Sequence, residues 1–262
     1  MEKLKGIVLR TVKYGENGYI VDLFTDSRGR MSFDVKRTAS HQVAARSSRV
    51  NPSVLMPLSL IAFESSIHGQ MRLPSAKGIQ PYHTFSTLHF NPVKASIVMF
   101  LSECLSNLLK EEAANPLLYQ YIEDSLKWFD YAETGYANFH LVFMMRLTRF
   151  VGVFPNVDKS HLLSPHQTHT LLYYDLMNSE YSDIQPQHQH YLKPDEARTI
   201  PYLLYMDYEN MHLYRMNRRQ RHRCLEVIIE YYMLHLTGFR EPKSLEVLQD
   251  VFDNCNSITH NL

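Results

Sequence analysis

The first 80 residues alternate between apolar and polar positions in short runs, which is the pattern of β-strands. Gly15, Gly18 and the segment 26–29 separate the early runs and suit turns. Five such runs in so short a stretch are typical of a small closed barrel. In the third run Phe33 lies on the apolar face, so we expect it in the core. We predict an OB-fold with strands at 3–13, 19–25, 30–36, 55–65 and 71–76.

After residue 80 the spacing of apolar residues becomes helical. Leu101, Leu105 and Leu108 share one face of a first helix, and Asn115-Pro116 provides a cap and a first helical residue for a second. Residues 138–151 are apolar nearly all round, which predicts a buried central helix. Further helices are expected at 193–205, 221–236 and 245–252. The predicted class is therefore α+β, with an OB-fold barrel over 1–80 and a mainly helical domain over 81–262.

Residues 156–192 interrupt the helical pattern. This segment contains two prolines, a strand-like run at 171–175 and five histidines, and we predict an irregular insertion between helices. The histidines are His161, His166, His169, His188 and His190.

The formal charge of the chain is zero, with 27 basic and 27 acidic residues, yet it is unevenly spread. Residues 1–50 contain ten Lys or Arg and five Asp or Glu, a net charge of +5, so the rest of the chain carries −5. A basic β-module attached to a helical body favours binding of a polyanion at one end.

Between Asp34 and Glu64 there is no acidic residue, and the basic residues there are able to follow a phosphate backbone without reading sequence. Tyr14 and Tyr19 lie near them and suit stacking on unpaired bases, although a plain turn position for Tyr14 stays open. The candidate DNA-binding residues of the module are Lys13, Arg28, Arg30, Lys36, Arg37, Arg46 and Arg49.

A second basic run comprises five arginines between residues 215 and 223, with no acid among them. Two interpretations stay open: a surface for nucleic acid or a partner, or a solvated helix face that pairs with acidic helices. Under the first interpretation the candidate DNA-binding residues are Arg218, Arg219 and Arg221.

Signatures of catalysis are lacking in the sequence. It contains no phosphate-binding loop, no dinucleotide fingerprint, no HExxH and no GxSxG. The three cysteines are far apart and form no disulfide framework, and Cys104 suits a buried small hydrophobe. Neither a signal peptide nor an apolar run of membrane length occurs, so we expect a cytoplasmic protein without membrane contact. We expect no enzyme, no cofactor and no bound metal.

Three segments together resemble the RecO family of DNA repair proteins, in its Bacteroides-type branch. The opening GIVLRTVKYGENGYIVDLFTDSRGRMSFDVKR is similar to the family's first three strands. The segment RLTRFVGVFPN resembles its buried helix, and LTGFREPKSLEVLQDVF resembles its C-terminal end. The order and spacing of these segments extend the likeness over essentially the whole chain.

The resemblance implies an N-terminal OB-fold followed by a helical domain. It implies binding of single- and double-stranded DNA, annealing of complementary strands and association with the nucleoid. The partners it implies are RecR and the acidic, hydrophobic C-terminal tail of single-stranded DNA-binding protein, with RecA loaded indirectly. We assign that tail to Arg146 and Arg149 on the central helix, because a charge beside an apolar groove suits such a ligand. A salt bridge at the helix end is the alternative for each.

Many relatives carry a four-cysteine zinc site in the segment that corresponds to 156–192, but this chain has no cysteine there. Two alternatives to the DNA-binding interpretation remain. One is a protein-interaction scaffold whose positive charge serves solubility. The other is a metal-dependent hydrolase that uses the histidine-rich insertion.

Overall fold

A computed structural model describes residues 1–15, 18–36, 51–66, 73–110, 113–155, 157 and 172–259, with side chains up to 252. The chain forms two compact units, one of residues 1–131 and 242–262, and one of residues 132–241. The first unit is larger than the predicted barrel because a helix packs on the first strand and on the C-terminal helix. A functional boundary at residue 80 stays a prediction. No helix in the described ranges is long and apolar enough to cross a membrane.

The first unit contains the five-stranded sheet. Its strands are β1 (Glu2–Tyr14), β2 (Gly18–Thr25), β3 (Gly29–Lys36), β4 (Leu60–Ser65) and β5 (Ala76–His83). They pair antiparallel in the order β3-β2-β1-β4-β5. The amide of Asp34 donates to the carbonyl of Pro74 at 2.9 Å, and Asp34 forms a parallel bridge with Ser75. The two edges of the sheet therefore meet, which confirms the predicted OB-like architecture.

Two strand boundaries differ from the prediction. β4 begins at Leu60 because residues 52–55 form a 3₁₀ turn capped by Asn51, and Leu58 takes a positive φ of 58°. β5 begins at Ala76, where the prediction ended the fifth strand. Gly78 and Pro81 interrupt its apolar alternation, so the sequence pattern did not reveal it.

Inward-facing side chains from all five strands fill the barrel. Phe33 is fully buried, as predicted, and its ring meets that of Phe63 edge-on at 4.8 Å between centroids. A Cβ at Gly6 would approach the side chains of Leu23 and Phe63 to 3.3 Å, so this position of the core has little room for a side chain. The buried residues of this core are Leu4, Val8, Val21, Leu23, Phe33, Val35, Leu55, Ile61, Phe63 and Ala76.

The pairing of β1 with β2 is interrupted by a bulge. Val8 lies opposite Leu23 and Arg10 lies opposite Asp22, so Leu9 is the extra residue. The Leu9 carbonyl accepts hydrogen bonds from Ser102 Oγ at 2.6 Å and Ser106 Oγ at 3.3 Å. A bulge changes which residues face outward, since side chains alternate along a strand.

The helices agree with the predicted periodicity. Asn91 caps α1 and Asn115 caps α2, as expected from their sequences. Cys104 on α1 is buried, also as expected. The helices are α1 (Pro92–Leu108), α2 (Pro116–Tyr131), α3 (Phe139–Phe150), α4 (Pro194–Ala197), α5 (Thr199–Tyr205), α6 (Arg218–His235) and α7 (Ser244–Thr259).

The second unit is built around α3, which is buried nearly all round as predicted. Tyr232 on α6 is fully buried and donates to the carbonyl of Met144 at 2.8 Å. The predicted irregular insertion contains a three-stranded antiparallel sheet within its described part, formed by β6 (Tyr173–Asp175), β7 (Glu180–Ser182) and β8 (Tyr191–Leu192). β6 overlaps the strand-like run predicted at 171–175. β7 and β8 have three and two residues and are too short to produce a periodic signal.

A buried carboxylate links the end of α2 to the segment before α1. Asp130 accepts hydrogen bonds from the amides of Ser86, Thr87 and Leu88 at 2.8–2.9 Å. Burial alone raises the pKa of Asp130, but these hydrogen bonds outweigh it and hold the pKa below its usual range. Lys94 is also buried and donates to the Asp130 carbonyl at 2.9 Å.

We expect Asp130→Asn to lower the free energy of unfolding by about 3 kcal/mol, since hydrogen bonds to a charged group are among the strongest. Urea denaturation followed by circular dichroism measures the change. Asp124→Asn is the matched control, because Asp124 is exposed on the same helix. Equal stability of the two variants would contradict the role of Asp130.

His140 on α3 makes stability depend on pH. Burial, with a smaller effect of the charge on Arg221, lowers the pKa of His140 from 6.5 to about 3. Below pH 6.5 the unfolded chain therefore binds a proton that the folded chain does not. The free energy of unfolding consequently decreases as the pH is lowered from 6.5 to about 3. At pH 5 the loss from this group is about 2 kcal/mol.

We expect His140→Gln to remove about 2 kcal/mol of the difference in unfolding free energy between pH 7.5 and pH 5. Urea denaturation at the two pH values measures this difference. The control is His212→Gln, because His212 is exposed. An unchanged pH dependence in His140→Gln would show that His140 is not the responsible group.

Candidate nucleic-acid interface

Beyond the bulge, the outward-facing side chains of β1, β2 and β3 form three rows across the sheet. The first row contains Arg10, Asp22 and Ser32. The second row contains Val12, Ile20 and Asp34, and the third contains Tyr14, Gly18 and Lys36. We call the side chains of Arg10, Val12, Tyr14, Ile20 and Lys36 the open face.

The open face combines exposed apolar groups with positive charge. Val12 is 39% exposed and Tyr14 is 65% exposed, and Arg10 and Lys36 are exposed as well. Gly18 lies between Tyr14 and Lys36, so bare backbone separates the ring from the ammonium group. Stacking aromatics beside cations are the features that bind single-stranded nucleic acid on OB-folds.

The basic residues predicted in this module occupy three different environments. Lys13 pairs with Tyr19 in the row that also contains Val35, because the bulge shifts the alternation of β1 before it. This row faces inward, but Lys13 lies at the end of β1 and is exposed. Arg28 lies in the β2–β3 turn, where its guanidinium pairs with Glu2 at 3.0 Å.

Arg30 is largely buried and holds the sheet to α1. Its guanidinium donates to Asp22 at 3.1 Å and to the carbonyl of Ser106 at 2.6 Å. Ser32 Oγ donates to the same Asp22 carboxylate. The charge of Arg30 is therefore engaged within the fold, whereas that of Arg10 has no ion-pair partner among the described residues.

Lys36 is exposed at the end of β3, immediately before residues 37–50. The predicted site residues Arg37, Arg46 and Arg49 lie outside the described residues. Sequence reasoning missed Arg10 and Val12 as members of the face, because alternation without a bulge places both of them inward. Val8 and Arg10 pair with adjacent residues of β2 although Leu9 lies between them, and only the strand register reveals this bulge.

The arginine run of the second unit is also divided between structural and exposed residues. Arg221 donates to Asn138 Oδ1 at 2.9 Å and to the Met216 carbonyl at 3.0 Å, and burial lowers the pKa of its guanidinium. Arg219 is exposed in the first turn of α6, and Arg218 is half-buried beside it.

The two arginines predicted to bind a partner lie on the last turns of α3. Arg146 is 3.8 Å from the Asp207 carboxylate and lies over the ring of Tyr208 at 5.3 Å. Arg149 is exposed and lies over the ring of Phe154 at 4.2 Å. Arg149 therefore presents a cation and an apolar ring together at the surface, while Arg146 is already paired.

Comparison with known proteins assigns both parts of the chain to the same protein family. Residues 1–85 match the family model "Recombination protein O N terminal", and residues 89–246 match "Recombination protein O C terminal". The chain belongs to the RecO family of DNA repair proteins. The confirmed family membership agrees with the resemblance seen in the sequence.

Curated RecO proteins are similar to the chain over nearly its whole length. DNA repair protein RecO of Bacteroides fragilis is 39% identical over 254 residues, which cover 97% of this chain and 100% of the relative. The Phocaeicola vulgatus protein of the same name is 39% identical over 96% of this chain and 99% of its own. That of Flavobacterium psychrophilum is 29% identical over 95% and 98%.

The two described histidines of the insertion make hydrogen bonds within the second unit. His188 Nε2 is 3.1 Å from the Asp175 carboxylate, and His190 Nδ1 is 2.8 Å from that of Glu230. Within the described residues no group of three or more potential ligands could hold a metal ion. His161, His166 and His169 lie outside the described residues, so the expected lack of zinc stays a prediction.

We expect Arg30→Ala to lower the free energy of unfolding by about 2 kcal/mol, because Asp22 and the Ser106 carbonyl both lose a charged donor. Arg10→Ala is the matched control on β1 of the same sheet, and a surface change of this kind stays within about 0.5 kcal/mol. Urea denaturation of both variants measures the two values. A destabilisation by Arg10→Ala as large as that by Arg30→Ala would refute the division between structural and exposed arginines.

Proposed function

We propose that the open face binds single-stranded DNA and that Lys36 continues this surface into residues 37–50. The observation that supports this proposal is that the exposed ring of Tyr14 shares one face of an OB-like sheet with Arg10 and Lys36. An aromatic ring stacks on any base, and the flanking cations neutralise phosphates. Such binding has little sequence preference.

We further propose that the chain binds double-stranded DNA and anneals complementary strands. Strands that repel one another approach more readily when cations screen their phosphates, and the open face leaves the edges of stacked bases accessible. This role requires no bond-making chemistry, so we assign the protein a non-catalytic function at the nucleoid in the cytoplasm. Membership in a DNA repair family supports the assignment.

We propose RecR and the acidic tail of single-stranded DNA-binding protein as partners, through which the protein helps to load RecA on coated single strands. Arg149 suits the tail because its guanidinium is exposed over the Phe154 ring. Carboxylates pair with arginine, and an apolar side chain of the tail packs against an aromatic ring. Arg146 contributes only if its contact with Asp207 opens.

We expect Arg10→Glu/Lys36→Glu to weaken binding of a labelled single-stranded oligonucleotide strongly and to reduce its salt dependence. Two phosphate contacts fewer lower the slope of log K against log salt by about 1.4 for a single strand. Fluorescence anisotropy at several salt concentrations measures both effects. Tyr14→Ala should cost about 1–3 kcal/mol of binding with an unchanged salt slope, since it removes stacking alone.

The charge-matched control is Arg198→Glu/Arg240→Glu, which reverses two exposed arginines of the other unit. A second reversal, of Lys36, Arg37, Arg46 and Arg49 to Glu, tests the basic segment that follows β3. Unchanged affinity in both reversal variants, with wild-type stability, would exclude this surface. If the wild type itself binds no oligonucleotide, the protein-interaction scaffold becomes the better interpretation.

A further inference from the structure

The second unit contains a cavity beside the N-terminal half of α6. Its volume is about 770 Å³, within the usual range for a small-molecule pocket. Tyr202 on α5, Tyr214 before α6 and Val227 on α6 contribute apolar wall. Arg215 and Arg219 also line it. No residue of the open face belongs to this cavity.

Two aromatic rings of the cavity wall are placed against each other. The centroids of Tyr202 and Tyr214 are 5.8 Å apart, with an angle of 61° between the ring planes. Tyr202 is 41% exposed and borders the cavity. The ring of Tyr202 is therefore accessible to a flat ligand.

The arginines at the N-terminal end of α6 are unfavourable for the electrostatics of a helix. A helix N-terminus carries partial positive charge and favours acidic residues, yet the first turn of α6 has no acid and contains Arg218, Arg219 and Arg221. Arg221 is held by Asn138, and this contact explains its presence. Local conflicts of this kind are expected at functional positions.

Arg215 and Arg219 have no hydrogen-bond or ion-pair partner for their guanidinium groups within the described part of the chain. Arg223, by contrast, is bound by Glu196 at 2.7 Å and by Glu226 at 3.3 Å. The cavity thus has two unpaired cations, while its carboxylates Glu196 and Glu226 are already paired with Arg223.

We propose that this cavity binds one unpaired nucleotide of single-stranded DNA. The base stacks on the exposed ring of Tyr202, and the adjoining phosphates contact Arg215 and Arg219. The inference deepens the proposed function, on which it rests, by adding a second contact for the same strand. The chemistry needed is a π-face beside a singly charged phosphate, and a nucleotide supplies both.

An acidic peptide fits this cavity less well than a nucleotide. Asp195, Glu196 and Glu226 lie in its wall and repel a ligand that carries several carboxylates. The same acids accept hydrogen bonds from the exocyclic amino groups of bases. The wall therefore favours a ligand whose negative charge is confined to one side.

Two contacts on one chain have a consequence for affinity. Once a strand is bound at the open face, its second binding event is intramolecular and benefits from a high effective concentration. Binding at the cavity alone is then weak, and its contribution is measurable mainly on oligonucleotides long enough to reach both places. Short oligonucleotides bind at one place only.

Photocrosslinking of the full-length protein to an oligonucleotide with 5-iododeoxyuridine tests the proposal. We expect mass spectrometry to find crosslinks at Tyr202 or Tyr214 in addition to Tyr14. In the background of Arg10→Glu/Lys36→Glu, at an oligonucleotide concentration that saturates this weaker-binding variant, the crosslinks at Tyr202 or Tyr214 should persist while that at Tyr14 disappears. Binding without any crosslink at Tyr202 or Tyr214 would overturn the inference and leave the proposed function intact.

Anisotropy titrations provide a second measurement. Tyr202→Ala should weaken binding of a long oligonucleotide roughly 5- to 150-fold, and Tyr202→Phe should retain wild-type affinity because the stacking ring is kept. Arg215→Ala/Arg219→Ala should lower the salt slope by about 1.4, while the control Arg198→Ala/Arg240→Ala leaves it unchanged. Equal slopes for the two double variants would contradict the proposal.

An acidic peptide is the alternative ligand for the cavity, and a fluorescent hexa-aspartate peptide tests for its binding. We expect no binding that depends on Arg215 and Arg219. Tight binding that is lost in Arg215→Ala/Arg219→Ala, without a DNA crosslink in the cavity, would assign the cavity to an acidic protein segment instead. If the wild type binds no oligonucleotide at all, the proposed function and this inference fail together.

Discussion

The bulge at Leu9 is the constraint on which the first unit depends. The extra residue has no paired residue on β2, and Ser102 and Ser106 of α1 donate hydrogen bonds to its carbonyl. An unpaired buried carbonyl is costly, so helix and sheet are tied together at this point. The same bulge turns Arg10 and Tyr14 to the outside. One backbone irregularity therefore both anchors α1 and creates the open face.

The ionic groups of the first unit fall into two classes. Asp130 and Lys94 are buried and use their hydrogen-bonding capacity within the fold, and Arg30 is engaged with Asp22 and Ser106. The Glu103 carboxylate accepts hydrogen bonds from the backbone amides of Lys243 and Ser244, so it fixes the start of the C-terminal helix. Charges that lack such partners, such as those of Arg10 and Lys36, remain available to a ligand.

Periodicity was sufficient for the long elements and insufficient for the short ones. The core position of Phe33, the cap at Asn115 and the all-round burial of α3 follow from local spacing and are confirmed. β6 overlaps the strand-like run predicted at 171–175, but β5, β7 and β8 were not predicted correctly. β7 and β8 are only three and two residues long, and β5 is interrupted by Gly and Pro.

The sequence by itself determined the strand pattern, the helical body, the excess of positive charge near the N-terminus and the family. These properties reside in local spacing and composition, which need no knowledge of contacts. Only the tertiary structure decided which arginines are free, because Arg30, Arg221 and Arg223 bind partners up to 83 positions away in the sequence. It likewise decided which face of β1 is open, because one extra residue in the strand register reverses the orientation of every side chain that follows.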